Sequence, residues 1–159
     1  MKELYYPIVL KLKDKPALVI GGGPVAERKV KSLIQFGARV RVISPSLTAS
    51  LEKLLRSGRI TWLRRAVKPS DIKRAYIIIA ATSDAGVNKN ISEWAKKRGI
   101  PVNVVDRASL SSFISPAILC TPKAVVAVYT HGQDPVLSRD LKNFLKEQWD
   151  VFLSYRNRL

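Results

Sequence analysis

Apolar residues come in short blocks separated by glycines, prolines and charges, and the blocks alternate between two periods. Residues 17–20 (Ala-Leu-Val-Ile) form a brief run with β-branched members, the pattern of a strand buried on both faces of a parallel sheet. Gly21-Gly22-Gly23 follows. Val25, Ala26, Val30, Leu33 and Ile34 then recur at helical spacing, Pro24 suits a first helical turn, and Gly37 stands where a helix ends. Val40, Val42 and Ile43 alternate with Arg39 and Arg41 as a second strand. Strand, glycine turn, helix, strand is a βαβ unit. Ser46 or Thr48 caps a helix through Arg56, with Leu47, Leu51, Leu54 and Leu55 inside, and residues 60–63 read as a short strand. Lys68-Pro69-Ser70-Asp71 opens a brief helical turn. Residues 76–81 are the most apolar run and the best candidate for a central strand. Asp84 caps a helix over 85–97, with Val87, Ile91, Trp94 and Ala95 inward and Asn88 and Asn90 on its surface. Residues 100–105 are the next strand, ended by Asp106.

Beyond Phe113 the pattern changes. Residues 117–120 and 124–129 flank Thr121-Pro122-Lys123 as a hairpin, and residues 136–153 read as one long helix with Leu137, Leu141, Phe144, Leu145, Trp149 and Phe152 on one side. Residues 5–12 are an edge strand or an extended lead-in, since Pro7 cannot donate to a ladder. The predicted class is α/β: a Rossmann-like parallel sheet over residues 1–113, then a hairpin-and-helix region over 114–159. The apolar face of that last helix has little of its own domain to pack against, which points to a homodimer.

The glycine turn carries the Gly-x-Gly-x-x-Ala fingerprint on Gly21, Gly23 and Ala26. Bare backbone there admits a pyrophosphate, and the N–H groups and dipole at the start of the helix favour its charge. The competing reading is a strand-to-helix turn that binds nothing. The acid expected after the second strand for a ribose hydroxyl is missing: the sequence there is Ser44-Pro45-Ser46. A hydroxyl or backbone group must hold the ribose. Arg39 and Arg41 could instead receive a 2′-phosphate, although their alternation fits a solvated edge, so NAD against NADP stays open.

Composition narrows the class. Of 159 residues 47% are hydrophobic, yet no run reaches transmembrane length, no signal peptide opens the chain, and Cys120 is the single cysteine. A soluble cytoplasmic protein without a membrane partner is expected. The net charge of +16 has three readings: solvated surface, nucleic-acid binding, or attraction of a polyanionic small substrate. The basic residues are spread along the chain and no nucleic-acid motif accompanies them.

In an open parallel sheet, ligands lie beyond the carboxyl ends of the strands. Polar groups are predicted there at residues 21–24, 82–84 and 103–106. Asp106 is the sharpest, either a carboxylate able to accept a proton or the cap of a turn. His131 is the only histidine, solvated or ready to titrate. One histidine and one cysteine far apart make no metal site.

Read in order, Gly21-Gly22-Gly23-Pro24-Val25-Ala26-Glu27-Arg28-Lys29, Ala80-Ala81-Thr82-Ser83-Asp84 with Val87-Asn88, Asn103-Val104-Val105-Asp106, Phe113-Ile114-Ser115-Pro116-Ala117 and Asp134-Pro135-Val136-Leu137-Ser138-Arg139 resemble the successive motifs of the precorrin-2 dehydrogenase family, the oxidising part of siroheme synthase. The resemblance implies NAD-dependent oxidation of precorrin-2, an anionic tetrapyrrole, to sirohydrochlorin. It implies Asp106 as the essential carboxylate, a dinucleotide held by Gly21, Gly22, Gly23, Pro24, Val25, Ser44, Pro45, Ser46 and Thr82, and a dimer formed by the segment after Phe113. The missing acid then becomes a family trait. Thr130 and His131 fall where substrate contacts are expected, with His131 in place of a usual glycine. The chain ends at Leu159, where family members usually continue into a helical domain, so ferrochelatase activity is left open. The alternative is an NAD-sensing module without catalysis.

Overall fold

The computed structural model describes residues 5–131 and 133–156. They divide into two compact units, one from Pro7 to Phe113 and one formed by Tyr5 and Tyr6 with the chain from Ile114 onward.

The first unit is a five-stranded parallel sheet in the order β3-β2-β1-β4-β5. The strands are β1 (Pro16–Ile20), β2 (Arg39–Ile43), β3 (Ile60–Leu63), β4 (Ile77–Ala80) and β5 (Val102–Val104), and the helices are α1 (Pro24–Gln35), α2 (Ala49–Arg56) and α3 (Ala85–Lys96). Side chains alternate across β1. Ala17 and Val19 join Ala26, Val30 and Leu33 of α1 and Leu51 of α2 in one cluster. Leu18 and Ile20 join Ile91 and Ala95 of α3 and Ile72 in another. The sheet is therefore covered on both faces, which is why its strands read as apolar runs. Ile72 lies in a short 3₁₀ turn, Asp71–Arg74, which supplies the crossover from β3 to β4. Arg65 pins that turn by donating to both Asp71 carboxylate oxygens at 2.7 Å. This pairing holds the Asp71 carboxyl below its ordinary value.

Strand order reverses beside β1, where the chain goes to β2 on one side and β4 lies on the other. That is the topological switch point, where ligands bind open α/β sheets. Register fixes what meets there. Ile20 is level with Ile43 and with Ala80, and Ala80 with Val104. The segments after β1, β2, β4 and β5 consequently emerge side by side. Residues 7–12 join no strand and form an extended lead-in.

In the second unit, β6 (Ala117–Cys120) and β7 (Val125–Val128) pair antiparallel as the expected hairpin. Asp134 caps the next helix, accepting from the Leu137 N–H at 2.7 Å. The single long helix expected from the sequence is two, α4 (Pro135–Glu147) and α5 (Trp149–Arg156). They part at Gln148, whose ψ opens to 2° while the Phe152 N–H still reaches the Gln148 carbonyl at 3.0 Å. Neither glycine nor proline marks the joint, so residue pattern alone carried no signal of it. Leu119 and Val128 are buried, whereas Val136, Leu137, Leu141, Phe144, Val151, Phe152 and Tyr155 are exposed. Among the described residues no helix is long and apolar enough to cross a membrane.

Candidate dinucleotide and acid–base site

The glycines after β1 have separate duties. Gly21 has φ +120°, and a Cβ on it would lie 2.2 Å from the Ala81 carbonyl oxygen. A Cβ on Gly22 would lie 1.9 Å from the Ser46 carbonyl oxygen. Both are glycine because protein backbone fills the space. Gly23 differs: among the described residues nothing lies within 4 Å of where its Cβ would be. Its bare face opens outward at the N-cap of α1, next to the unpaired N–H groups of the first turn. Ala26 is fully buried, which lets helix and strand approach closely. First glycine for the turn, second for an approaching pyrophosphate, small third residue for packing: the fit to a dinucleotide is met position by position.

The segment after β2 docks onto this turn. Ser44 is buried and its hydroxyl donates to the Ser46 carbonyl at 2.7 Å. The Trp62 indole N–H donates to the Ser44 carbonyl at 3.0 Å, and the Thr48 N–H donates to the Gly22 carbonyl at 3.0 Å. Ser44 therefore shapes the loop, and Pro45 and Ser46 are its exposed members. Glu27, in the first turn of α1, accepts from the Thr48 hydroxyl and from Lys31, each at 2.6 Å. Those bonds, Lys31 first, lower its carboxyl to about 2. The acid closest in sequence to the glycine turn is thus engaged inside a clip between α1 and α2. Trp62 and Glu27 were not singled out from the sequence. Trp62 meets a partner 18 residues away, and Glu27, besides Lys31 four residues on, meets Thr48 21 residues away.

Arg39 and Arg41 do not reach the site. They line a cleft of about 710 Å³ with Pro16, Arg59 and Arg74. Pro16 begins β1 and Gly21 follows its end, so this cleft lies at the opposite edge of the sheet. The 2′-phosphate reading for these arginines is withdrawn. Val25 also departs from expectation. Placed at helical spacing with the buried Ala26 and Val30, and implied by the resemblance to hold the dinucleotide, it is 37% exposed beside Gly23 and Pro24, which are exposed as well.

The segments after β4 and β5 are joined by a residue read as helix surface. Asn90 is exposed, but Asn88 is 1% exposed. Its amide oxygen accepts from the Thr82 N–H at 3.3 Å and the Thr82 hydroxyl at 2.8 Å. Its amide nitrogen donates to the Thr82 carbonyl at 3.1 Å and to Asp106 Oδ1 at 3.3 Å. An asparagine amide has two acceptor positions and two N–H donors, and all four are used. The signal was present in the sequence: Asn88 precedes Ile91 and Ala95 by three and seven residues, the spacing of the buried stripe of α3. Thr82 completes the turn with Asp84, whose carboxylate caps α3 by accepting from Gly86 and Val87. Asp106 is exposed just beyond β5. Asn103, predicted in the same group, is buried and donates instead to the Phe113 carbonyl at 3.1 Å.

Thr130 and His131 belong to the second unit. The Thr130 hydroxyl contacts the Asp134 carbonyl at 2.6 Å and the Ser138 hydroxyl at 2.7 Å. His131 is exposed, sits at φ 53° and lays its ring 5.2 Å from that of Tyr129, which Tyr5 meets edge-on. Among the described residues no group of three His, Cys, Asp or Glu side chains could hold a metal ion.

Comparison with known proteins bears on this geometry. Residues 8–117 match the NAD(P)-binding family model NAD_binding_7. The chain is 47% identical over 136 residues to siroheme synthase of Methylobacillus flagellatus, covering 86% of this chain and 29% of that one. It is 42% identical over 139 residues to siroheme synthase of Thioalkalivibrio sulfidiphilus, covering 87% and 28%. Its sequence spans about three-tenths of the length of these curated relatives. Among solved structures, SirC, a precorrin-2 dehydrogenase, superposes with a TM-score of 0.78 at 29% identity, covering 91% of this chain and 71% of that one.

Proposed function

The chain belongs to the NAD(P)-binding family, and from that premise we propose that it oxidises precorrin-2 to sirohydrochlorin with NAD in siroheme biosynthesis. One observation carries the reading: an open glycine face at Gly23 and an exposed carboxylate at Asp106, both at the carboxyl edge of one sheet and bracketing its switch point. The likeness to siroheme synthases and to SirC supports the substrate class.

When bound, the nicotinamide supplies the hydride acceptor. The chain's residues do the rest. Gly21, Gly22 and Gly23 with the first turn of α1 would hold the pyrophosphate, with Pro24 and Val25 beside it. Pro45 and Ser46, on the loop that Ser44 and Trp62 fix, and the backbone at Thr82 would complete the dinucleotide's binding surface. Loss of two hydrogens from precorrin-2 releases one hydride and one proton. Asp106 accepts that proton on a carboxylate oxygen at the end of β5. The charge of +16 draws a substrate bearing eight carboxylates by long-range attraction and by pairing with Arg and Lys.

The protein acts as a homodimer in this reading. Leu137, Leu141 and Phe144 on α4 and Val151, Phe152 and Tyr155 on α5 remain exposed in the single chain. A second copy would cover them.

The test is to mix the protein with NAD and precorrin-2 and follow NADH absorbance. Appearance of NADH in step with sirohydrochlorin supports the proposal. NAD binding without turnover would instead mark a sensing module.

A further inference from the structure

We propose that Asn88 is the positioning residue for Asp106, and that it ties the orientation of this carboxylate to the loop after β4. The inference rests on the dehydrogenase reading above. Asp106 is an exposed side chain at the end of a strand, free to turn about two bonds unless something holds it. Among the described residues, the one hydrogen bond that holds it from a buried group is the Asn88 amide N–H to Oδ1 at 3.3 Å. Asn88 itself cannot turn. Its oxygen is held by two donors of Thr82 and its nitrogen by the Thr82 carbonyl, and the residue is 1% exposed. A rotation that freed Asp106 would leave three buried bonds unmade, and each unmade buried polar group is costly. With Oδ1 fixed, Oδ2 is the oxygen left to take a proton.

The choice of an amide is chemically informative. A lysine or arginine at 88 would pair with Asp106 and neutralise its charge. A carboxylate would repel it. A neutral donor orients the carboxylate without adding a charge beside it. Because the same amide grips the Thr82 backbone, movement of the loop that borders the dinucleotide is transmitted to the carboxylate through one rigid group.

The experiment compares Asn88→Asp and Asn88→Ser with wild type, alone and in an Asp106→Asn background. Asn88→Asp keeps the shape and both acceptor positions for Thr82 but replaces the donors with a charge that repels Asp106, whereas Asn88→Ser removes the bond to Asp106 without adding charge. Asn88→Ser keeps a polar group of smaller size and serves if the first variant fails to fold. A hydrogen bond to a charged group is worth roughly ten- to a hundredfold, so kcat is expected to fall by that factor. KM for precorrin-2 and affinity for NAD, read by calorimetry, are expected to stay near wild type. In the Asp106→Asn background the same changes at 88 are expected to lower kcat no further, since the residue acts only through Asp106. A crystal structure of Asn88→Ser is expected to show the Asp106 carboxylate turned or in several conformers. An equal loss of kcat in both backgrounds, or an unmoved Asp106 with unchanged kcat, would overturn the positioning role and leave the dehydrogenase reading standing. Wild-type protein that makes no NADH from precorrin-2 would overturn both.

Discussion

The two units of the chain treat their apolar residues differently. In the sheet unit, Val19, Val42, Ile43, Leu51, Ile78, Ile91 and Val102 are all less than 2% exposed, and helices cover both faces. In the hairpin unit, Leu119 and Val128 are buried while Leu137, Leu141 and Phe144 stand about half exposed. Burying one such side chain contributes roughly 1.5–3 kcal/mol, so the second unit leaves several such contributions unmade within one chain. The first unit closes its apolar core within one chain; the second leaves much of its apolar surface exposed. A single chain suffices for the core of the sheet unit, whereas it leaves the helix face of the hairpin unit uncovered, the face proposed above for a second copy.

The contrast breaks first at the exposed helix face. Leu141→Glu with Phe144→Glu puts two charges where a twofold partner would pack, and symmetry makes each act twice. The expected outcome is complete conversion to monomer at micromolar concentration in sedimentation velocity, with NAD affinity retained. Wild-type protein that already sediments as a monomer would remove the premise. On the sheet side the largest effect belongs to Asp106. Asp106→Asn removes the proton acceptor while preserving shape, and turnover is expected to fall by about a hundredfold or more with NAD affinity nearly unchanged. Normal turnover would make Asp106 a cap only.

The glycine turn gives a sharper internal contrast. Gly22→Ala drives a methyl into the Ser46 carbonyl, and Gly21→Ala does the same at Ala81. Both are expected to lower the melting temperature as well as NAD affinity. Gly23→Ala meets no atom of the described residues, so the melting temperature is expected to hold while NAD affinity drops by about tenfold, about 1.4 kcal/mol. An alanine at 23 that leaves NAD binding untouched would show that the pyrophosphate does not approach this face.

How far these features could be read from sequence depended on whether their cause was local. The strands, α1 and α3 were legible because buried parallel strands are unbroken apolar runs and the covering helices carry a 3.6-residue stripe. Asp84 as a cap and Gly21 as a turn are local devices, and both act as such. What escaped was long-range or depended on what another segment occupies. Asn88 looked polar and so external, although its spacing to Ile91 placed it inside; only Thr82 and Asp106, brought there by β4 and β5, satisfy it once buried. Arg39 and Arg41 lie a few residues before the loop after β2 in sequence, yet they line a cleft with Pro16, at the start of β1, rather than the turn that follows its end. The joint at Gln148 has no residue signature at all.

A smaller effect is expected from the clip between α1 and the loop after β2. Glu27 has a folded-state value of about 2 against an ordinary 4.5, so its bonds to Lys31 and Thr48 stabilise the folded form wherever unfolded Glu27 is ionised. The contribution is fully present above about pH 4.5 and is lost as pH falls from there toward 2. Glu27→Gln keeps an acceptor for Thr48 but loses the charge. At neutral pH the variant is expected to melt a few degrees below wild type, and the gap is expected to close through that acid window. A gap independent of pH would mean that shape, not charge, holds the clip.

The smallest effect is expected at His131. Its φ of 53° is a left-handed conformation, which costs a non-glycine residue about 1 kcal/mol or more. Glycine adopts it freely but loses about 0.5–1 kcal/mol more conformational entropy on folding. His131→Gly also gives up the ring contact with Tyr129. These terms nearly cancel, so the melting temperature is expected to move little. Turnover is expected to change far less than in Asp106→Asn, because the proton acceptor proposed above is Asp106 and not this exposed ring. A fall in turnover as deep as that of Asp106→Asn, with stability unchanged, would move the proton acceptor from the sheet unit to the hairpin unit.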